Sequence, residues 1–240
     1  MSHERARLPA EPAAPGRGWL VAATGAGALV AVLAVLVATS WAPVLAADRM
    51  IADGVHVAAL AHPLLARAAG WTTVLGDTTT RFLVSGLAGL LLAWRRAWDR
   101  AVLVVACPLL GGLVDIGIKD LVARPRPVWV HPIVHASGYA FPSGHTMGSM
   151  VTYGALGLVG WWGWRGTTRR LALVGLVVVT GLVGVSRVVL GVHWPSDVLG
   201  GWAAGLSWMV LTWAAWSATA ARRRTSGELS VGPPEPRLGR

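Results

Sequence analysis

The chain has 240 residues, 54% of them hydrophobic and only 13% charged, where charged residues make up about a quarter of an ordinary soluble domain. That balance excludes a water-soluble globule and indicates one integral membrane domain. The formal net charge of +10 is spread over short arginine clusters, with no long basic face and no aromatic RNA-binding box, so nucleic acid is not an expected partner.

In chain order, residues 1–17 read as a disordered leader rich in Pro and Arg, 18–220 as one helical domain, and 221–240 as a disordered tail. A hydrocarbon core about 30 Å thick needs roughly 20 apolar residues per helix. Six segments approach that length: 18–46, 81–94, 101–118, 145–164, 171–190 and 197–219. The first exceeds a signal-peptide core of about 7–15 residues and is expected to be a retained helix, long enough to tilt or to extend past the bilayer. The second is short and is expected to begin nearer Thr78. Between them, 47–80 carries Asp48, Arg49, Asp53, His56, His62, Arg67 and Asp77, and its apolar residues fit an interfacial amphipathic helix. Cys107, the single cysteine, stands in an apolar run and reads as a small core or lipid-facing residue. The fold class expected is therefore all-α, a six-helix transmembrane bundle.

Arginine sets the expected orientation. Arg5, Arg7 and Arg17 precede the first helix. Arg95, Arg96 and Arg100 lie between the second and third. Arg165, Arg169 and Arg170 lie between the fourth and fifth, and Arg222, Arg223 and Arg224 follow the sixth. With six spans all four clusters fall on one side, which the positive-inside rule makes cytoplasmic, together with both termini. One helix more or fewer would scatter them. The outer side then receives 119–144 and 191–196.

Three polar segments meet on that outer side: "KDLVARPRP" (119–127), "FPSGHTMG" (141–148) and "SRVVLGVHWPSD" (186–197). Lys119, Arg126 and Arg187 supply cations, and a guanidinium forks onto phosphate oxygens where an ammonium acts as a point charge. Lys119 and Arg126 are seven positions apart, two helical turns, but Pro125 and Pro127 are expected to break that register. Arg124 would point elsewhere and reads as a supporting or surface residue. In "PSGH", Ser143 is a candidate N-cap and Gly144 permits close backbone approach; a helix start of this kind is an anion site. Pro195 fits a first helical turn. Asp197 follows His193 by four residues, close enough to fold back onto Nδ1–H and leave the Nε2 lone pair facing phosphorus. His145 is the candidate general acid. Each segment alone is an ordinary capped turn; together, they form an inventory suited to a phosphate monoester or anhydride. Asp115, one turn before Lys119, is expected to pair with a motif cation.

These segments closely resemble the three motifs of the type 2 phosphatidic acid phosphatase superfamily, K-x6-RP, PSGH and SR-x5-H-x3-D. They stand here as Lys119…Arg126-Pro127, Pro142-Ser143-Gly144-His145 and Ser186-Arg187…His193…Asp197. The resemblance implies a metal-independent lipid phosphatase with no cofactor and a phosphohistidine intermediate on His193. It implies that Asp197 orients His193, that His145 acts as acid, and that Lys119, Arg126, Ser143, Gly144 and Arg187 hold the phosphoryl group. Polyprenyl diphosphate, phosphatidic acid and phosphatidylglycerol phosphate are the substrates it brings into view, so the expected partners are a phosphorylated lipid and the membrane itself. Two other classes stand beside this reading: a vanadium haloperoxidase-like enzyme, which shares the motifs but not six apolar spans, and a non-enzymatic binder or transporter of anionic lipid, which needs cations but no poised nucleophile. Trp129, His131, His135, Tyr139 and Phe141 either line a substrate path or form an interfacial belt, and Trp161, Trp162 and Trp164 read as belt residues. Pro132 argues against a helical metal pair at His131 and His135.

Overall fold

The structure is a computed structural model and describes residues 14–161 and 164–230, with side chains left out at 221 and 223–230. The expected leader, the distal tail and Trp162 lie wholly or largely outside the described residues. Among these residues the chain is all-helical. Its elements are α1 (Arg17–Ala38), α2 (Ala42–Ala61), α3 (Pro63–Thr73), a 3₁₀ turn (Val74–Gly76), α4 (Thr78–Trp94), α5 (Trp98–Val122), α6 (Gly144–Trp161), α7 (Gly166–Val189) and α8 (Pro195–Ser230).

Four of these helices, α1, α5, α7 and Pro195–Ala220 of α8, are long and apolar enough to cross a membrane. α4 begins at Thr78, as expected, and is apolar but has only 17 residues. α6 turns Thr146, Ser149 and Thr152 inward, where all three are buried. It is the central helix, packed against α8, α5, α7 and α4. Leu103, Cys107, Met147, Val151, Ala155 and Ala204 form the core between α5, α6 and α8. Leu87, Leu90, Leu113, Leu171 and Val177 point outward, fully available to lipid.

Two boundaries differ from the sequence expectation. The apolar run 18–46 is two helices, because the chain leaves α1 through a Schellman turn. Trp41 N–H donates to Leu36 C=O, Ser40 N–H donates to Val37 C=O, and Ser40 takes φ 54°. No glycine marks that turn. The same device ends α4, with Arg96 at φ 60° and Ala97 N–H donating to Leu92 C=O. The mixed stretch 47–80 is likewise not one helix but α2, α3 and the 3₁₀ turn, started at Pro43 and Pro63. Ala59 and Ala69 of these helices pack on Val189, Leu190 and Val192, so the stretch folds over the end of α7 where the third motif begins.

Candidate active site

α5 ends at Val122, with Ala123 in the left-handed region at φ 49°. Lys119, in its last turn, lies 2.7 Å from Asp115 Oδ1 and also donates to Pro142 C=O. The pairing of Asp115 with Lys119 is the one expected, and it ties the end of α5 to the turn before α6. Gly144 is required there, since a Cβ would sit 2.8 Å from Asp115 Oδ2 and 3.4 Å from Lys119 Nζ. The adjoining motif is anchored across the molecule: Ser143 N–H donates to Asp197 C=O at 3.0 Å. The Ser143 hydroxyl accepts from Thr146 Oγ1 at 2.9 Å.

His193 lies in the short turn between α7 and α8 and is 2% exposed. Arg126, on the loop and not on a continued helix, places Nη1 2.9 Å from His193 Nε2. A guanidinium only donates, so Nε2 must accept and the ring proton belongs on Nδ1. That Nδ1 stands 3.4 Å from Asp197 Oδ2, a close approach without hydrogen-bond alignment. Burial pushes the ring down to about 4, with Arg126 and Arg187 adding to the effect and Asp197 opposing it. His193 is therefore neutral at pH 7, with its lone pair at Nε2. Arg126 is also held by the carbonyls of Ser137, Gly138, Tyr139 and Val192.

Asp197 does two jobs. Its Oδ2 accepts from the backbone N–H of Trp194 at 2.8 Å, the back-bond of a helix start with Pro195 at the first helical position. Its Oδ1 accepts from Arg124 Nη1 at 2.5 Å. Arg124, expected to be a supporting or surface residue, is buried at 5% exposure. Its other arm donates to Asp48 Oδ2 at 2.6 Å, and Asp48 also accepts from the N–H and hydroxyl of Ser196.

On the other side His145, in the first turn of α6, holds Asp77 Oδ1 at 2.8 Å through Nε2. Arg187 donates to Thr73 Oγ1 at 2.6 Å and lies within electrostatic reach of both histidines. Arg81 donates to Gly76 C=O at 2.9 Å and packs its guanidinium on Gly148, clamping the turn that carries Asp77. Asp48, Thr73, Asp77 and Arg81 were absent from the sequence-predicted site. Their one sequence signal was charge or polarity in an apolar chain.

The aromatics of the 123–143 loop divide. Trp129 stacks on His56 with centroids 4.0 Å apart and donates to Gly191 C=O. Trp129, Arg126 and His135 line a cavity of about 370 Å³ beside the site. Phe141 is neither a path nor a belt residue: it is fully buried against Leu33 and Val37 of α1. Among the described residues no group of three His, Cys, Asp or Glu side chains is placed to hold a metal ion.

The profile of the PAP2 superfamily matches residues 100–220. Phosphatidylglycerophosphatase B of Bacillus subtilis is 34% identical over 115 residues, 47% of this chain and 56% of that protein. An undecaprenyl-diphosphatase of Sulfolobus acidocaldarius is 30% identical over 128 residues, 51% of this chain and 58% of that protein. The matches thus span little more than half the length of these curated relatives. The crystal structure of a transmembrane PAP2 type phosphatidylglycerolphosphate phosphatase from Bacillus subtilis superposes with a TM-score of 0.71 at 25% identity, covering 84% of this chain and 96% of that one.

Proposed function

The chain belongs to the PAP2 superfamily, and from that membership we propose that it is a multi-pass membrane phosphatase that hydrolyses the terminal phosphate of a lipid monophosphate or diphosphate. The observation that carries the reading is the tautomer of His193, buried, neutral, and with its Nε2 lone pair held by a guanidinium, the group best shaped to bind phosphate. A mere binder of anionic lipid needs the cations but gains nothing from that arrangement. The names of the relatives support a phosphatidylglycerol phosphate or polyprenyl diphosphate substrate.

In the first step Arg126 exchanges backbone carbonyls for phosphate oxygens, joined by Lys119, Arg187 and the Ser143–Gly144 backbone at the start of α6. His193 Nε2 attacks phosphorus, the P–O bond to the lipid breaks, and His145 donates its proton to the leaving oxygen. In the second step water attacks phosphorus as His145 takes its proton, the P–N bond breaks with its electron pair returning to Nε2, and inorganic phosphate leaves with His193 restored. Asp197 stabilises the positive charge that develops on His193, and Asp77 holds the His145 ring. The chain's own cations neutralise the phosphoryl group, so no metal is invoked. Read as spans beside the four apolar helices, α4 and α6 make six, and with that count the arginine clusters support a site on the extracytoplasmic face and termini in the cytoplasm.

The test is phosphate release from a panel of lipid monophosphates and diphosphates in detergent, with vanadate as inhibitor control. His193→Ala should bind phosphorylated lipid and release no phosphate, and turnover near wild type in that variant would eliminate the nucleophile. Activity should persist in excess EDTA; loss with rescue by Mg²⁺ would replace this mechanism with a metal-assisted one.

A further inference from the structure

Asp197 faces His193 with one oxygen and Arg124 with the other. A buried guanidinium bonded at 2.5 Å to a carboxylate draws negative charge away from that carboxylate's second oxygen. Left as a simple pair, Arg124 and Asp197 would be formally neutral, and Asp197 would offer His193 little. Asp48 changes the sum. It takes the second arm of Arg124 at 2.6 Å and is itself 3% exposed. Two carboxylates then share one guanidinium, and the cluster carries a formal charge of −1. The backbone N–H and hydroxyl of Ser196 satisfy the remaining Asp48 lone pairs, so the acid is buried without an orphan.

We propose that Asp48, reaching in from α2, is a positioning residue that holds Arg124 and leaves Asp197 enough negative charge to stabilise the imidazolium that forms when His193 becomes phosphorylated. This rests on the reading of His193 as nucleophile. The effect belongs to the transition state and the covalent intermediate, because the substrate phosphate touches neither Asp48 nor Arg124. Removing the Asp48 charge therefore lowers kcat and leaves KM in place. It also weakens orthovanadate, whose vanadium bonds to the nucleophile, and spares sulfate, which only fills the cation pocket.

The experiment measures kcat, KM, and inhibition constants for orthovanadate and sulfate on purified full-length Asp48→Asn with dioctanoyl phosphatidic acid in detergent. The expected result is a fall in kcat of about tenfold with KM within about twofold, a vanadate constant raised by about the same factor and an unchanged sulfate constant. Wild-type kcat and vanadate inhibition, or equal shifts in both inhibitors, would overturn the proposal. If Asp48→Asn does not remain folded, Asp48→Asn combined with Arg124→Gln decides the same question, because the pair removes one charge of each sign and the cluster keeps its −1. There kcat and the vanadate constant should stay within about threefold of wild type, and a loss of about tenfold or more in kcat would overturn the proposal. His193→Ala runs alongside: turnover there sinks the nucleophile itself, whereas an inactive His193→Ala beside an undisturbed Asp48→Asn sinks only the role of Asp48.

Discussion

At the scale of single residues, the site pairs each histidine with a carboxylate, His193 with Asp197 and His145 with Asp77. The two pairs differ in how they were visible. Asp197 is four positions from His193, and a chain this poor in charge makes such a neighbour stand out. Asp77 is 68 positions from His145, and Asp48 is 148 from Ser196, so no local spacing announces either. Arg124 was read as pointing away from Lys119, which is correct, but the residues it points at come from α2 and α8. The burial of His193 has a consequence for stability. Its folded ring is pushed down to about 4, below the ordinary histidine value of about 6.5, so the unfolded chain binds a proton that the folded chain refuses. The stabilisation is present above pH 6.5 and is lost as pH falls below it. Between pH 7 and pH 5, wild type should lose about 2 kcal/mol through this residue alone. Thermal unfolding of wild type and His193→Gln across that range checks it: the Gln variant should be less acid-sensitive, and parallel curves would contradict the burial argument.

At the scale of helices, α6 and α8 carry His145 and Asp197 and must approach closely to bring them to one site. They do so through small residues, as membrane helices commonly do. Gly201 and Gly205 stand one turn apart on α8. A Cβ at Gly201 would lie 2.9 Å from Ser143 C=O and 2.9 Å from Thr146 Cβ, and one at Gly205 would lie 2.7 Å from Met150 Cβ. Ser143 and Thr146 belong to the anchored turn and cannot swing away. Gly201→Leu should therefore destabilise the protein by about 1–3 kcal/mol, the usual range for overpacking, and lower activity with it. Melting in detergent measures this, and an unchanged midpoint would mean that the helices are less tightly apposed. The helix boundaries were legible where proline or a polar break marks them, as at Pro63, Pro195 and the 123–143 loop. They were not legible at Ser40, where a left-handed serine does what glycine usually does. The segment 145–164 was legible as α6, but not that its polar face is spent inside the bundle.

For the whole molecule, α5 and α7 each begin beside described arginines, Arg96 and Arg165, and end at a motif segment. Arg95 and Ala136 are both exposed, one in an arginine cluster and one in the 123–143 loop. In a Cys107→Ala background, Ala136→Cys should react with a membrane-impermeant maleimide on intact cells and Arg95→Cys only after lysis; the reverse pattern would invert the orientation. The general architecture could be read from composition and apolar length alone. What could not be read was that α2 and α3 close over the motif end, because their amphipathic pattern does not say which surface they cover. Their contribution carries a constraint on biosynthesis. Asp48 emerges 148 residues before Ser196, and its other partner, Arg124, comes 76 residues after it. At about 5–20 residues per second, the ribosome needs roughly ten to thirty seconds to deliver α8. Until Arg124 is made, α2 has a carboxylate whose burial would leave it uncompensated, at several kcal/mol, and the Ser196 donors that complete its hydrogen bonds arrive only with α8. The full set of partners that seats α2 over the motif end therefore exists only once the last helix has been made.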